Sequence, residues 1–232
     1  MTTSDPSDQM RLFPADAPSD ALATRLATAP GLVRVGASRW DDGRTPIHPL
    51  SVESAYADPA LLRDLGARGA TFARELGVDV VVGAETGGIP LAAAVALAGG
   101  LPFAFVRKPE YEGHEPDEPR VRGAEVTGRR VLLVDDAVSS GRAVERFTAA
   151  LTEEGAEVVG VFVLVDMREV AHEVSSVAAA LPTASVSTYL AILDLAAANG
   201  VLEHAVHELT VDAIVNRWSQ DDPRWELLPA AA

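Results

Sequence analysis

Two adjacent carboxylates, Asp135 and Asp136, stand directly after an apolar run, Val131 to Val134. The residues that follow, 137–141, are small or apolar, include two serines and lead into a segment with helical spacing. Backbone N–H groups at such a turn, together with the positive end of the helix, bind a phosphate group, and the serine hydroxyls add donors. The carboxylates suit a different partner, the vicinal hydroxyls of a ribose, with or without a bridging Mg²⁺. The pattern therefore predicts a site for a phosphorylated ribose.

Three other interpretations of this segment are weaker. A P-loop needs Gly-Lys-Ser or Gly-Lys-Thr, and Lys108, the only lysine of the chain, lies elsewhere. A phospho-acceptor receiver domain also places paired acids after a strand, but near its N-terminus and with a lysine at the end of a later strand. In this chain the acids lie past the middle and no lysine follows them. A strand that stops at an aspartate helix cap leaves the second aspartate and the paired serines without a use.

Alternating strand and helix patterns must position these residues. Short, almost wholly apolar runs are typical of strands buried on both faces, and ligands of such parallel sheets bind at the carboxyl ends of the strands. We predict an α/β fold with a central parallel sheet of about five strands, flanked by helices and topped by a small N-terminal hood. The predicted strands are residues 78–83, 103–106, 130–135, 157–165 and 184–187. The predicted helices, with their caps, are residues 58–77, 88–97, 141–154, 189–198 and 203–218.

Two segments break this alternation. Residues 1–20 are polar, contain prolines and show no sustained period, which predicts a disordered tail. Residues 108–127 are charged and rich in glycine and proline, and a segment of this length between two core strands predicts a flexible functional loop. We expect residues 21–225 to form a single domain, whose hood comprises about residues 21–55 together with the C-terminal helices.

Composition argues against several classes of function. With 34 acidic and 19 basic side chains, the formal net charge is −15, which disfavours binding to nucleic acid. Cysteine is absent, which excludes thiolate catalysis and cysteine metal sites. His204 and His207 share a helix face without an evident third ligand, so no resident metal site is predicted. No apolar run is long enough to cross a membrane and the N-terminus lacks a secretory signal, so we expect a soluble cytoplasmic protein.

The sequence Asp-Asp-x-x-Ser-x-Gly at residues 135–141 resembles the signature of the type I phosphoribosyltransferases, which bind 5-phosphoribosyl 1-diphosphate (PRPP). Residues 82–92, with the sequence Val-Gly-Ala-Glu-Thr-Gly-Gly-Ile-Pro-Leu-Ala, resemble the diphosphate loop of the orotate phosphoribosyltransferases. Residues 105–108, Phe-Val-Arg-Lys, resemble the opening of the catalytic hood loop in the same enzymes. The resemblance extends over about residues 25–220 and includes an N-terminal hairpin around Gly43-Arg44.

This resemblance implies transfer of the 5-phosphoribosyl group of PRPP to a pyrimidine base, with orotate as the expected base, and release of diphosphate. It also implies Mg²⁺, bound mainly through PRPP, and a homodimer in which the hood loop reaches the site of the partner subunit. The implied PRPP-binding residues are Thr86, Gly87, Gly88, Asp135, Asp136, Ala137, Val138, Ser139, Ser140 and Gly141. The implied catalytic residues are Arg107, Lys108 and His114, and the implied base-binding residues are Ser139 and Arg168.

The chain departs from the pattern of the orotate enzymes in its loop and in its base pocket. Where those enzymes place a second loop lysine, this chain has Tyr111, and the loop histidine falls one position late, at His114. Where they place an arginine for the orotate carboxylate, this chain has Met167, followed by Arg168. Two alternatives therefore stay open: a transferase for another base, and a PRPP-binding sensor with weak or no turnover.

Overall fold

The computed structural model describes residues 20–34, 50–108, 119–219 and 222–228. Within these ranges the chain forms one seven-stranded sheet with helices on both faces. The strands are β1 (Val80–Ala84), β2 (Phe103–Val106), β3 (Val121–Gly123), β4 (Arg130–Val134), β5 (Ala137–Val138), β6 (Glu157–Asp166) and β7 (Thr183–Thr188). The helices are α1 (Ala21–Ala27), α2 (Pro59–Glu75), α3 (Gly88–Gly99), α4 (Arg142–Glu153), α5 (Ser176–Ala180), α6 (Tyr189–Ala198) and α7 (His204–Val215). Short 3₁₀ helices occupy Val52–Ala57, Arg168–Val170 and Pro223–Leu227.

Five strands of the sheet run parallel, in the spatial order β2, β1, β4, β6, β7. This arrangement confirms the predicted fold class. Strand β3 adds an antiparallel edge to β2, and β5 pairs with the last two residues of β6. Neither was predicted from the sequence, because two or three residues are too few to show a strand pattern.

The core lies on both faces of the sheet, since alternate strand residues point in opposite directions. Val81, Leu132 and Phe162 are fully buried on one face, where they pack with residues of α2 and α3. Val82 and Leu133 are fully buried on the other face, where they pack with residues of α4. Burial on both faces explains why the strands are apolar along nearly their whole length.

Helix α2 begins as its cap residues predict. The Asp58 carboxylate accepts hydrogen bonds from the N–H groups of Ala60 (2.8 Å) and Leu61 (3.2 Å), and Pro59 occupies the first helical position.

The loop predicted over residues 108–127 is not continuous, because Val121–Gly123 form β3. Only Val121 of this strand is apolar and half-buried, so its pairing with the edge of β2 gives no periodic hydrophobic signal in the sequence.

The hood is described in part. It contains α1, which is capped by the carboxylate of Asp20, and an antiparallel bridge between Val33 and Leu50. Residues 1–19 of the predicted tail, the hairpin around Gly43-Arg44, and the loop positions Tyr111 and His114 lie outside the described residues. Among the helices that are described, none has the length and apolar character needed to cross a membrane.

Candidate active site

The two acids Asp135 and Asp136 lie just beyond the carboxyl end of β4. The Asp135 N–H donates to the carbonyl of Phe162 (3.0 Å), which continues the pairing with β6 by one residue. The Asp135 carboxylate accepts the N–H of Asp136 (2.9 Å), and the Asp136 carboxylate accepts the N–H of Ala137 (2.7 Å). These local bonds fix both carboxyl groups at the mouth of the sheet.

Asp135 is buried and Asp136 is half-buried. Burial raises the pKa of the Asp135 carboxyl well above its ordinary range, and the negative charge of Asp136 raises it further. The positive charge of Lys108 acts in the opposite direction and lowers the pKa of Asp135. Two acids in this setting are stabilised by hydrogen-bond donors or by a cation, which is the chemistry that a ribose diol or a metal ion supplies.

The turn at residues 137–141 leads directly into α4. The N–H of Ser175 donates to the carbonyl of Ser140 (2.8 Å), which ties the turn to the segment before α5. Gly141 has a φ of 73° and packs so closely that a Cβ there would lie 2.3 Å from the Cβ of Ala178, so only glycine fits. The turn therefore presents backbone amides at the N-terminus of a helix of 12 residues, the arrangement that binds phosphate.

A cleft of about 350 Å³ opens beside this turn. His172, which lines the cleft, is held by Arg217, whose Nη1 lies 2.8 Å from Nδ1 of His172. The residues that line the cleft are Ser139, Ser140, Arg142, Ala171, His172 and Glu173.

The connection between β1 and α3, residues 85–87, contacts the acid pair. A Cβ on Gly87 would lie 2.3 Å from Oδ2 of Asp136, and a Cβ on Gly88 would lie 2.2 Å from the carbonyl oxygen of Val134. Larger residues at these two positions would push the segments apart. The predicted diphosphate loop and the predicted ribose acids therefore form one continuous surface at the carboxyl edge of the sheet.

Tyr56 supports the diphosphate loop from the hood side. Its hydroxyl donates to the carbonyl of Gly87 (2.8 Å). Burial raises the pKa of the Tyr56 hydroxyl, and the charges of Asp136 and Asp135 raise it further, so the group stays protonated and keeps donating. Sequence reasoning missed Tyr56, since a single tyrosine 31 residues before its partner carries no motif.

Arg107 and Lys108 follow β2 at the same edge of the sheet. The Arg107 N–H donates to the carbonyl of Arg120 (2.9 Å), and the Lys108 N–H donates to Oε2 of Glu85 (2.8 Å). Lys108 thus follows β2 at the carboxyl edge of the sheet, and its positive charge lowers the pKa of Asp135. The third predicted catalytic residue, His114, lies outside the described part of the chain.

Arg168, the predicted base-binding arginine, has other partners. Its Nη2 lies 2.6 Å from Oδ2 of Asp166, and its Nη1 donates to the carbonyl of Ala178 (2.9 Å). The guanidinium therefore lies between the end of β6 and α5. A contact between Arg168 and a base remains a prediction. Sequence reasoning missed Asp166, whose carboxylate also accepts the backbone N–H of Arg168 (3.0 Å).

In the part of the chain that the structure describes, no group of three or more histidine, aspartate or glutamate side chains is placed to hold a metal ion. The two histidines of α7 have acidic partners instead. Nε2 of His207 lies 2.7 Å from Asp194, and Nε2 of His204 lies 3.4 Å from Glu208.

The described geometry joins a phosphate turn, an acid pair and a second glycine-rich loop within residues 59–196, and these residues match the phosphoribosyl transferase domain. The chain belongs to the phosphoribosyltransferase family. This phosphoribosyltransferase is 33% identical over 151 residues to the orotate phosphoribosyltransferase of Pyrococcus abyssi, a match that covers 64% of this chain and 82% of that protein.

Two further relatives show how widely this phosphoribosyltransferase is matched. It is 33% identical over 130 residues to the hypoxanthine/guanine phosphoribosyltransferase of Methanohalophilus mahii, with 51% of this chain and 67% of that protein covered. Its structure is similar to that of the Mycobacterium tuberculosis H37Rv orotate phosphoribosyltransferase in complex with PRPP, with a TM-score of 0.58 and 25% identity. That comparison covers 74% of this chain and 98% of the solved one.

Proposed function

We propose that this phosphoribosyltransferase transfers the 5-phosphoribosyl group of PRPP to orotate and releases diphosphate. The observation that carries the proposal is the contact between Gly87 and Asp136, which joins the diphosphate loop to the acid pair beside the phosphate turn. A ligand with a phosphate at one end, a ribose diol in the middle and a diphosphate at the other end matches these three features in order. The similarity to orotate phosphoribosyltransferases supports orotate as the acceptor.

The roles of the residues follow from their chemistry. Asp135 and Asp136 accept hydrogen bonds from the ribose hydroxyls. The amides of residues 138–141 bind the 5-phosphate, because the N–H of Ala137 is already donated to the carboxylate of Asp136. The amides of residues 86–88 bind the diphosphate, because the N–H of Glu85 is already donated to the carbonyl of Val106. Arg107 and Lys108 neutralise the charge of the diphosphate. Displacement of diphosphate at the anomeric carbon develops positive charge on the ribose and negative charge on the leaving group, so catalysis is mostly electrostatic. No side chain acts as a covalent nucleophile.

We propose Mg²⁺ as the cofactor, bound mainly through PRPP. The local chemistry fits this ion, since carboxylate oxygens are its preferred protein ligands and the half-buried Asp136 lies against the diphosphate loop. The raised pKa of Asp135 also indicates a site where a cation would relieve repulsion between two acids. When bound, Mg²⁺ supplies positive charge to the leaving diphosphate. Asp136 and Asp135 would hold it through the substrate.

A second candidate is transfer to an uncharged base. The observation that favours it is the ion pair between Arg168 and Asp166 (2.6 Å), since a guanidinium already paired with a carboxylate must exchange partners before it binds orotate. The similarity to a hypoxanthine/guanine phosphoribosyltransferase supports this second candidate. Ser139 is proposed as a base contact for either acceptor.

The experiment that tests the proposed function measures diphosphate release from PRPP and Mg²⁺ with a panel of bases: orotate, uracil, hypoxanthine and guanine. Formation of orotidine 5′-phosphate is followed in parallel. Release that depends on orotate supports the proposal. Release with uracil or a purine alone supports the second candidate, and PRPP binding by calorimetry without release on any base identifies a sensor.

We further propose that the protein is a homodimer. Helix α3, which follows the diphosphate loop, contains no charged residue, and Leu97 on this helix is 85% exposed. An apolar surface of this kind is typical of an interface. Light scattering should report twice the monomer mass, and Leu97→Glu should shift it toward the monomer.

A further inference from the structure

The side chain of Glu85 connects the diphosphate loop to the base of the predicted hood loop. Its backbone N–H donates to the carbonyl of Val106 (3.0 Å), which continues the ladder between β1 and β2. Where the two strands diverge, Oε2 of Glu85 accepts the N–H of Lys108 (2.8 Å). A side-chain carboxylate thus takes the place of a ladder carbonyl, and hydrogen bonds to ionised acceptors are stronger than those to neutral ones.

This contact fixes the backbone of Lys108. The N–H of Arg107 is held from the other side by the carbonyl of Arg120 (2.9 Å), so two consecutive amides are bound to opposite neighbours. With both amides held, the chain leaves β2 in a defined direction, and the charge of Lys108 acts on Asp135. Without the Glu85 bond, the backbone hydrogen bonds given by the described residues hold Lys108 only through its neighbour Arg107.

Electrostatics alone predicts a different role for Glu85. A negative charge in a loop that binds a diphosphate repels the ligand, so its removal should strengthen PRPP binding. The geometry predicts the opposite effect on turnover, because the carboxylate holds the amide of the lysine that neutralises the leaving group. The two effects have opposite signs and can be separated by experiment.

We propose that Glu85 is a positioning residue for the reaction and that it acts through Lys108, by holding the lysine backbone so that the ammonium faces the departing diphosphate. The proposal rests on the proposed function and deepens it. It assigns a role to the Glu85 side chain, whereas the diphosphate itself is bound by the amides of the loop.

The test compares Glu85→Ala, Glu85→Gln, Lys108→Ala and the double variant Glu85→Ala/Lys108→Ala, with kcat and KM for PRPP measured by diphosphate release. Asp79→Ala is the matched control, because the Asp79 carboxylate accepts the N–H of Arg130 (2.9 Å) at the opposite end of β1. Glu85→Ser repeats the truncation with a polar side chain that is too short to reach Lys108. Thermal unfolding verifies that each variant is folded.

We expect Glu85→Ala and Glu85→Ser to lower kcat about tenfold, in line with misplacement of a catalytic group, with little change in KM. Glu85→Gln retains an acceptor and should restore kcat to within about threefold of the wild type. In the Lys108→Ala background the loss of the Glu85 side chain should have no further effect on kcat, since both substitutions remove the same interaction. Asp79→Ala should match the wild type.

Any of three results would overturn the proposal. They are an unchanged kcat in Glu85→Ala, a lowered KM for PRPP as the only effect of Glu85→Ala, and a loss of kcat in the double variant that exceeds the loss in Lys108→Ala. Calorimetry with inorganic diphosphate and Mg²⁺ applies the same cycle to binding and needs no turnover. If the wild type turns over no base, the proposed function fails. The role of Glu85 then stands if Glu85→Ala weakens diphosphate binding and has no further effect in Lys108→Ala, and it is overturned if diphosphate binding is unchanged.

Discussion

Replacement of Gly88 by alanine should separate the diphosphate loop from the acid pair. A Cβ at this position would lie 2.2 Å from the carbonyl oxygen of Val134 and 2.8 Å from Cα of Asp135. Both are backbone atoms, so neither moves aside by a change of rotamer. Because a carbon rarely approaches a carbonyl oxygen closer than about 3.3 Å, the start of α3 must shift by about 1 Å.

The expected effect on activity is large and the effect on stability is modest. Misplacement of a ligand-binding group by about 1 Å lowers the rate about 100-fold, so kcat/KM for PRPP should fall by about that factor. Overpacking costs about 1–3 kcal/mol and the better helix propensity of alanine offsets up to about 1 kcal/mol of this. At about 2–4 °C per kcal/mol for a domain of this size, Tm should fall by several degrees.

Gly99→Ala is the matched control at the other end of the same helix. A Cβ there would meet the tip of the Leu101 side chain at 3.3 Å, a contact that a small rotation relieves. This variant should keep the kcat/KM of the wild type. Wild-type kcat/KM in Gly88→Ala would refute the reasoning, and an equal loss in Gly99→Ala would show that α3 responds to alanine as a whole helix.

Four further predictions concern side chains of the site. Asp135→Asn should raise Tm in the absence of ligand at neutral pH. The raised pKa of Asp135 disfavours ionisation of this carboxyl in the folded protein, whereas in the unfolded chain it ionises above about pH 4. The gain in Tm should therefore grow as the pH rises above that value and vanish below it, as measured by thermal unfolding across a pH series. The same variant combined with Asp136→Asn should abolish PRPP binding by calorimetry, and binding retained within a few fold contradicts the ribose assignment. Tyr56→Phe should raise KM for PRPP about fivefold with a smaller effect on kcat, because it removes one hydrogen bond to the Gly87 carbonyl, worth about 1 kcal/mol. An unchanged KM would show that Tyr56 contributes only to packing. Arg168→Ala should raise KM for orotate more than tenfold and leave KM for PRPP unchanged, because the desolvated carboxylate of orotate would lose its cation. If KM for orotate is the same in the variant and the wild type, Arg168 serves only the ion pair with Asp166.

The parts of the site that could be predicted from the sequence are those that depend on neighbouring residues. Asp135 and Asp136 follow a buried strand and precede a helix, and this order alone places them at the mouth of a parallel sheet. The family resemblance implies that Gly87 and Gly88 bind PRPP, and in the structure their lack of a side chain lets this loop lie close to Val134, Asp135 and Asp136.

Contacts between distant segments could not be predicted. Tyr56 meets Gly87 across 31 residues, and Glu85 meets Lys108 across 23, and neither pair forms a periodic pattern. The partner of Arg168 is closer in sequence, but whether the guanidinium prefers Asp166 or a ligand depends on the position of α5, whose Ala178 carbonyl completes the arrangement. Sequence spacing contains no information on that position.

The antiparallel pairing of β2 with β3 bears on how this enzyme can evolve. The ladder ends at the bond from Arg107 to Arg120, so the segment between them is closed at its base by the sheet itself. For a loop closed in this way, a doubling of length changes the closure entropy by only about 0.6 kcal/mol. A change in the length of the chain between Arg107 and Arg120 therefore carries a small entropic cost for folding, whereas Gly87, Gly88 and Gly141 have no room for a side chain. Selection can alter the length of that connection while the backbone around these three glycines stays constant.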